Sequence, residues 1–275
     1  MKFMRLTDTL VHRWLRIPYT LSTSVKNPNG KRVVVFLHGI GNSKNAWKEV
    51  TKGLPRHIKT VSVDLLGFGA SPKPQWATYN ARTQARSVQA TLFSMGIFGN
   101  VTIVGHSLGA LVAIEMARRY PLVVKQLVLC SPPLYRPEAA DERGISPEKL
   151  LPRSFRLALK RPQEFLQLAQ VVGRYNILNK SFRIDDSTIG SYMATLEAMI
   201  VNQTSLDDLK RLSLPIHIMK GAVDPLIVTS NYSALKKERK NITIQTVAAG
   251  HEVLGLYVTA VQRHLEKLLP APKKR

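Results

Sequence analysis

A serine stands at the centre of a glycine-containing turn between two apolar segments of the chain. Gly105 and Gly109 flank Ser107 in the run VTIVGHSLGALVAIEMA, with His106 and Leu108 at the intervening positions. A strand pattern precedes the serine and an amphipathic helix pattern follows it. A strand-to-helix turn this sharp exposes the side chain of its middle residue, and glycines let the two backbones pass closely. The pattern predicts a nucleophilic serine at a helix N-terminus, which favours developing negative charge.

A serine hydroxyl needs an adjacent base to become a nucleophile, so a partner histidine is expected. His251 follows the strand-like segment 241–247 and precedes the last helical segment, which puts it at the same sheet edge as Ser107. His38 and His106 are each held by a neighbouring glycine turn, and we expect them to support the site through hydrogen bonds. The remaining histidines lie in predicted helices, in a strand or in a charged loop: His12, His57, His217 and His264. We therefore predict His251 as the general base.

The third group should be a carboxylate at another strand end, where it can orient the imidazole. Asp224 fits, because it lies just after the strand-like segment 215–220. Asp64 also ends a strand, but it precedes the serine in the chain. The order Ser107, Asp224, His251 is the one found for a serine on a strand-to-helix turn of this kind.

Acyl transfer also needs N–H donors for the oxyanion. One is expected from the backbone of Leu108, the residue after the nucleophile. The other is expected from Ile40, because His38-Gly39 turns sharply after a strand and leaves the N–H of Ile40 facing the site.

Strand-like and helical segments alternate along most of the chain, which implies a mostly parallel twisted sheet covered by helices. The predicted strands are 16–25, 32–37, 60–65, 100–105, 125–131, 215–220 and 241–247, and the predicted helices between and after them are 78–95, 108–119, 228–239 and 252–269. Residues 132–213 interrupt the alternation with helical patterns only, at 147–160, 162–172, 185–200 and 205–211, so we predict a helical lid inserted between two strands. The predicted organisation is a core of residues 18–131 and 214–269, an N-terminal amphipathic helix over 1–17 and a basic tail over 270–275.

Five motifs of the chain resemble those of the α/β-hydrolase-fold serine hydrolases, a superfamily of esterases, lipases and C–C hydrolases. They are HGIGNS (38–43), VDLLGFGASPKP (63–74), VGHSLGA (104–110), GAVDPLI (221–227) and AGHEV (249–253). The resemblance covers about residues 31–269, with the lid only generically alike. It implies the α/β-hydrolase fold, the triad above and an oxyanion donor at Ile40. A serine nucleophile argues against the dehalogenases and epoxide hydrolases of the same fold. No cofactor is expected, and no metal, because His251-Glu252 is not followed by a second histidine at ligand spacing.

The chain of 275 residues carries a net charge of +22, unevenly spread. Residues 1–60 carry +10 and residues 132–213 only +2. We therefore expect that the basic body does not select the substrate, and no motif for specific nucleic-acid recognition is present.

A single cysteine excludes an internal disulfide. The absence of a signal-peptide pattern or a long apolar run predicts a cytoplasmic protein.

Residues 2–16 form an apolar helical stripe flanked by basic side chains. Such a stripe packs on its own domain or on a second subunit of a homodimer, or makes weak contact with an anionic membrane. Packing is the favoured interpretation.

The predicted triad and oxyanion donors, together with the family resemblance, indicate hydrolysis of a carboxylic ester of small or medium size. The same triad would serve a C–C bond hydrolase, a thioesterase or lactonase, or a perhydrolase. A non-catalytic binding protein on this fold is the alternative from another class, and the intact triad argues against it.

Overall fold

A seven-stranded sheet forms the centre of the molecule, in the order β1-β3-β2-β4-β5-β6-β7. The computed structural model describes residues 9–136, 155–156, 158–164, 167 and 179–272. All neighbouring strands pair in parallel except β1, which is antiparallel to β3. The strands are β1 (Thr23–Lys26), β2 (Arg32–Leu37), β3 (Ile58–Val63), β4 (Val101–His106), β5 (Val124–Cys130), β6 (Ile216–Gly221) and β7 (Ile242–Val247).

Helices lie against both faces of this sheet. The α-helices of the described residues are α1 (Lys48–Lys52), α2 (Ala81–Ser94), α3 (Leu108–Arg119), α4 (Ile189–Thr195), α5 (Ser205–Lys210), α6 (Thr229–Glu238) and α7 (Leu256–Leu268). A 3-10 turn at Lys44–Trp47 leads into α1, and a π-helical turn at Leu196–Val201 continues α4.

Alternating side chains of the strands feed two separate hydrophobic clusters. In β2, Val35 and Leu37 join the cluster that contains residues of α2 and α3, whereas Val34 and Phe36 join the one that contains residues of α1 and α7. Successive side chains of a strand point to opposite faces, so the two clusters are the two sides of one sheet. The fold is the predicted α/β-hydrolase fold, and the carboxyl ends of its parallel strands share one edge.

The boundaries of several elements differ from the sequence expectation. The predicted strand over residues 16–25 begins only at Thr23, and the last helix, expected from residue 252, begins at Leu256. Gly255, at φ 52°, is the residue that turns the chain into this helix. The helices predicted over 147–160 and 162–172 lie largely outside the described residues. Among the described residues between β5 and β6, the structure has helices and no strand.

The N-terminal segment forms a π-helical turn at Thr9–Trp14, and residues 1–8 lie outside the described part. Leu10, Trp14 and Leu15 are all exposed, Trp14 by 73%. These three side chains therefore do not pack on the core of their own chain, and packing of the stripe on a second subunit stays a prediction. The turn is attached through His12, which stacks on Tyr19 with ring centroids 3.7 Å apart. Within the described part of the chain, no helix is both long and apolar enough to span a membrane.

Candidate active site

Ser107 occupies a strained turn between β4 and α3. Its backbone lies at φ 51° and ψ −119°, a left-handed conformation that few residues other than glycine adopt. Its N–H is held by the carbonyl of Cys130 at 2.9 Å. The two flanking glycines are required by close backbone contacts, since a Cβ on Gly109 would lie 2.3 Å from the Leu37 carbonyl oxygen and one on Gly105 2.5 Å from the Gly109 carbonyl oxygen.

The imidazole of His251 is fixed by a carboxylate. Its Nδ1 lies 2.9 Å from both carboxylate oxygens of Asp224. Asp224 Oδ1 also accepts from the backbone N–H of Leu226 at 2.9 Å, and the Ser131 side chain adds another hydrogen bond. Burial alone would raise the pKa of the Asp224 carboxyl, but these bonds and the nearby imidazole hold it below its usual range. Asp224 is thus a carboxylate that leaves Nε2 of His251 available to act as a base.

Two further histidines are buried behind these groups, each held in one tautomer. His38 Nδ1 donates to the carbonyl of Gly39 at 2.8 Å, and its Nε2 accepts from the N–H of Leu65 at 3.0 Å. His106 Nε2 donates to the carbonyl of His251 at 2.9 Å, which ties the end of β4 to the loop that carries His251. Burial lowers the pKa of His38 to about 4 and that of His106 to about 3, so both rings are neutral near pH 7.

Half of the predicted site residues line a cavity of about 820 Å³ at the carboxyl edge of the sheet, whereas Asp224, His38, Gly105, Leu108 and Gly109 do not line it. Ser107, His251, His106, Gly39 and Ile40 all line it. Most of the other walls are apolar, provided by Phe155, Phe182, Tyr192, Val223, Pro225, Leu226, Ala248, Ala249, Leu254 and Leu256.

The predicted oxyanion residues take different places around this cavity. Ile40 reaches it directly, whereas the side chain of Leu108 is fully buried in the core. Leu108 is the first residue of α3, so its backbone N–H lies at the helix N-terminus beside Ser107.

Comparison with known proteins assigns the family. A profile described as alpha/beta hydrolase fold matches residues 32–255. The chain belongs to the alpha/beta hydrolase fold family.

Curated relatives are similar at modest identity. A pimeloyl-[acyl-carrier protein] methyl ester esterase of Pseudoalteromonas atlantica is 30% identical over 201 residues, which are 70% of this chain and 76% of that protein. A probable lysophospholipase of Arabidopsis thaliana, BODYGUARD 2, is 30% identical over 132 residues, 46% of this chain. The aligned part spans only 27% of that plant protein's length. A solved structure, the thermophilic esterase from Thermogutta terrifontis, superposes with a TM-score of 0.70 at 20% identity, covering 90% of this chain and 92% of that one.

Three polar residues around the site of this alpha/beta hydrolase were missed by the sequence analysis. Ser131 follows β5 and supports Asp224. Glu252 lines the cavity beside His251, where burial raises the pKa of its carboxyl despite a hydrogen bond from Asn42. Asn42 is itself buried and accepts from Ser181 Oγ at 2.8 Å. A loop serine, a second acid and an asparagine carry no spacing signal, so only the folded chain singles them out.

Asp64, the competing acid, is engaged elsewhere. Its carboxylate lies 2.6 Å from the Lys44 ammonium and accepts from the backbone N–H groups of Lys44 and Ala70. These bonds hold the pKa of Asp64 below its usual range, although burial alone would raise it. Asp64 thus anchors the loop after β2.

Proposed function

We propose that this protein is a serine hydrolase that cleaves carboxylic esters of small or medium-sized substrates through an acyl-enzyme. Ser107 is the nucleophile, His251 the general base and Asp224 the group that orients the base. One observation carries the proposal: the imidazole held by Asp224 lines the same cavity as the serine on its strained turn.

In the first step, His251 Nε2 removes the proton of Ser107 as its Oγ attacks the ester carbonyl carbon. The oxyanion of the tetrahedral intermediate is stabilised by the backbone N–H groups of Ile40 and Leu108. The imidazolium, stabilised by the Asp224 carboxylate, then gives its proton to the leaving alcohol as the C–O bond breaks. The acyl group remains on Ser107.

In the second step, water replaces the alcohol. His251 removes a proton from water, the hydroxyl oxygen attacks the acyl carbon, and the returning proton releases Ser107 with a free carboxylic acid. Only the serine and the imidazole change their bonding, which is why no cofactor enters the proposal. The apolar cavity walls would hold the acyl group.

One relative supports an ester as the bond that is cleaved. The protein named a pimeloyl-[acyl-carrier protein] methyl ester esterase is 30% identical over 70% of this chain. That name does not fix the substrate of this chain, so acyl length and the choice among ester, thioester and C–C bond belong to the experiment.

A fluorophosphonate probe tests the proposal, because an activated serine oxygen displaces fluoride from phosphorus and stays labelled. We expect labelling of the wild-type chain, none of Ser107→Ala, and full labelling of Ser94→Ala, whose exposed serine ends α2. Turnover of a chain-length series of p-nitrophenyl esters, run beside a dienoate ketone, then separates ester from C–C hydrolysis. A wild-type chain that neither labels nor turns over any of these esters would overturn the proposal.

A further inference from the structure

A second cleft, of about 730 Å³, adjoins the active-site cavity. The two meet at Leu254 and Gly255, which line both. Neighbouring residues divide between them: Phe182 lines the active-site cavity, whereas Arg183 lines the second cleft. A ligand lying over the rim at Leu254 can therefore contact both spaces.

Three cationic residues line this second cleft, which we call the cationic cleft. Lys48 comes from the start of α1, while Lys180 and Arg183 come from the segment before α4. All three are exposed, and none forms an ion pair with an acid in the described part of the chain. Glu49 is the single carboxylate among the lining residues. Like charges that line one cleft repel one another, and a bound anion relieves that repulsion.

The segment that carries two of these cations is held against the predicted oxyanion loop. The backbone N–H of Arg183 donates to the Gly41 carbonyl at 2.8 Å, and Ser181 Oγ donates to Asn42 Oδ1 at 2.8 Å. The Phe182 ring fills the space beside Gly41, where a Cβ would lie 2.5 Å from it. The backbone that carries Lys180 and Arg183 is thus held against the predicted oxyanion loop.

The guanidinium of Arg183 is itself oriented. Its Nη1 donates to the carbonyls of Lys180 and Phe182, at 3.1 and 2.7 Å. Among the described residues only Nη1 of this guanidinium makes hydrogen bonds, so Nε and Nη2 are the atoms of the planar fork that we expect a ligand to use. A guanidinium matches the paired oxygens of a phosphate or carboxylate, and an ammonium adds a point charge.

We propose that the cationic cleft binds an anionic group, a phosphate or a carboxylate, of the same ester whose apolar part occupies the cavity beside Ser107. The inference rests on the proposed function, because it names the class of ester that the site takes: amphiphilic esters with an apolar acyl chain and an anionic alcohol part. The apolar walls and the cationic cleft each suit one end of such a molecule.

A matched series of three butanoyl esters tests this inference. The substrates are 1-butanoylglycerol, which is neutral, 3-butanoylglycerate, which carries a carboxylate, and 1-butanoylglycerol 3-phosphate. The short acyl chain keeps all three as monomers in solution. For the wild-type protein at low ionic strength, we expect kcat/KM for at least one anionic ester to exceed that for the neutral ester by about tenfold, since each exposed charge pair contributes only modestly. The better of the two anionic esters identifies the preferred group.

Two double variants with the same change of charge locate the effect. Lys180→Gln with Arg183→Gln should lower kcat/KM for the preferred anionic ester about five- to tenfold and leave the neutral ester within about twofold. Lys236→Gln with Lys237→Gln, in the last turn of α6 and lining neither cavity, should change neither value.

Three results would overturn the inference: no preference for either anionic ester, an equal loss on all three esters in the cleft variant, or the same loss in the α6 variant. The proposed function fails separately, through absence of turnover of every ester by the wild-type protein. Turnover of the neutral ester without any preference for an anionic ester refutes only the proposed role of the cationic cleft and leaves the proposed function standing.

Discussion

Asp224 and Asp64 are both buried carboxylates that follow strands of the sheet, yet their partners differ. Asp224 faces the imidazole of His251, whereas Asp64 faces the Lys44 ammonium and two backbone N–H groups. Asp64 is 1% exposed and Lys44 is partly buried, so losing either partner leaves a charge without compensation. The two acids should therefore give opposite mutational phenotypes.

Asp224→Asn should lower kcat for ester hydrolysis by about 10⁴-fold, because an amide favours the wrong tautomer of the imidazole. Its midpoint of urea unfolding should move little, since the amide fills the same space. Asp64→Asn should instead destabilise the fold by about 3 kcal/mol and retain most of kcat at a temperature where it is folded. Steady-state kinetics and urea unfolding of both variants measure these effects. Equal losses of kcat would mean that the wrong acid has been chosen.

Among single residues, the sequence predicts those catalytic groups that occur in a recognisable order along the chain. Ser107, Asp224 and His251 were predicted, and the structure brings Ser107 and His251 to one cavity with Asp224 behind the imidazole. Ser131 and Glu252 were not predicted, because they act through contacts between segments that are remote in sequence. No single-sequence pattern encodes such contacts.

Among the elements, the close approach of α3 to the end of β2 depends on the small size of one residue. Gly109 lies in the first turn of α3, with the Leu37 and His38 carbonyl oxygens in the space where a Cβ would be. Backbone atoms cannot move aside as a flexible side chain can. This close approach is what holds Ser107 at the sheet edge.

Gly109→Ala should therefore destabilise the protein by several kcal/mol, or prevent folding, because the helix would have to move away from the strand. Gly190→Ala is the matched control, since Gly190 lies in α4 with no atom within 4 Å of the added Cβ. There the change should be neutral or stabilising by up to about 1 kcal/mol, as expected for alanine in a helix. Thermal unfolding measures both. Similar stability for the two variants would contradict this description of the close approach.

Periodicity predicts the existence and type of the core elements well and their ends poorly. The helix predicted over 108–119 has those bounds in the structure, because the glycine-flanked turn at Ser107 marks its start. The helix predicted from residue 252 starts four residues later, since residues 251–255 are occupied by the histidine loop and Gly255 makes the turn. Tertiary contacts decide such ends, and they are absent from local propensity.

Over the whole molecule, the net charge of a sequence segment does not show where its charged residues lie in the fold. The segment 132–213 carries only +2, yet Lys180 and Arg183 within it line the same cleft as Lys48 from the basic first 60 residues. The sequence expectation concerned the basic body as a whole, and it remains a prediction. The cationic cleft concerns three particular side chains, and only the fold assembles them.

Buried neutral histidines should make global stability depend on pH. In the unfolded chain their pKa is about 6.5, whereas the folded pKa is about 4 for His38 and about 3 for His106. Between these values the unfolded state binds more protons, so stability is fully present above pH 6.5 and is lost as the pH falls. Between pH 6 and 5 we expect these two rings to lower the free energy of unfolding by about 2 to 3 kcal/mol. His264, whose pKa burial lowers to about 4, adds to this fall, and the raised pKa of Glu252 opposes it. Urea unfolding across this interval measures it, and a flat profile would contradict the buried neutral state of the two rings.

If Ser107 forms the acyl-enzyme, Ser107→Ala should lose ester turnover while it keeps its fold. Ester turnover and the thermal midpoint are measured for this variant and for the wild-type protein. We expect an unchanged fold and a fall in kcat/KM of about 10⁴-fold or more, because loss of the nucleophile removes the covalent step. A folded Ser107→Ala protein that retains more than about a hundredth of wild-type turnover would contradict the claim.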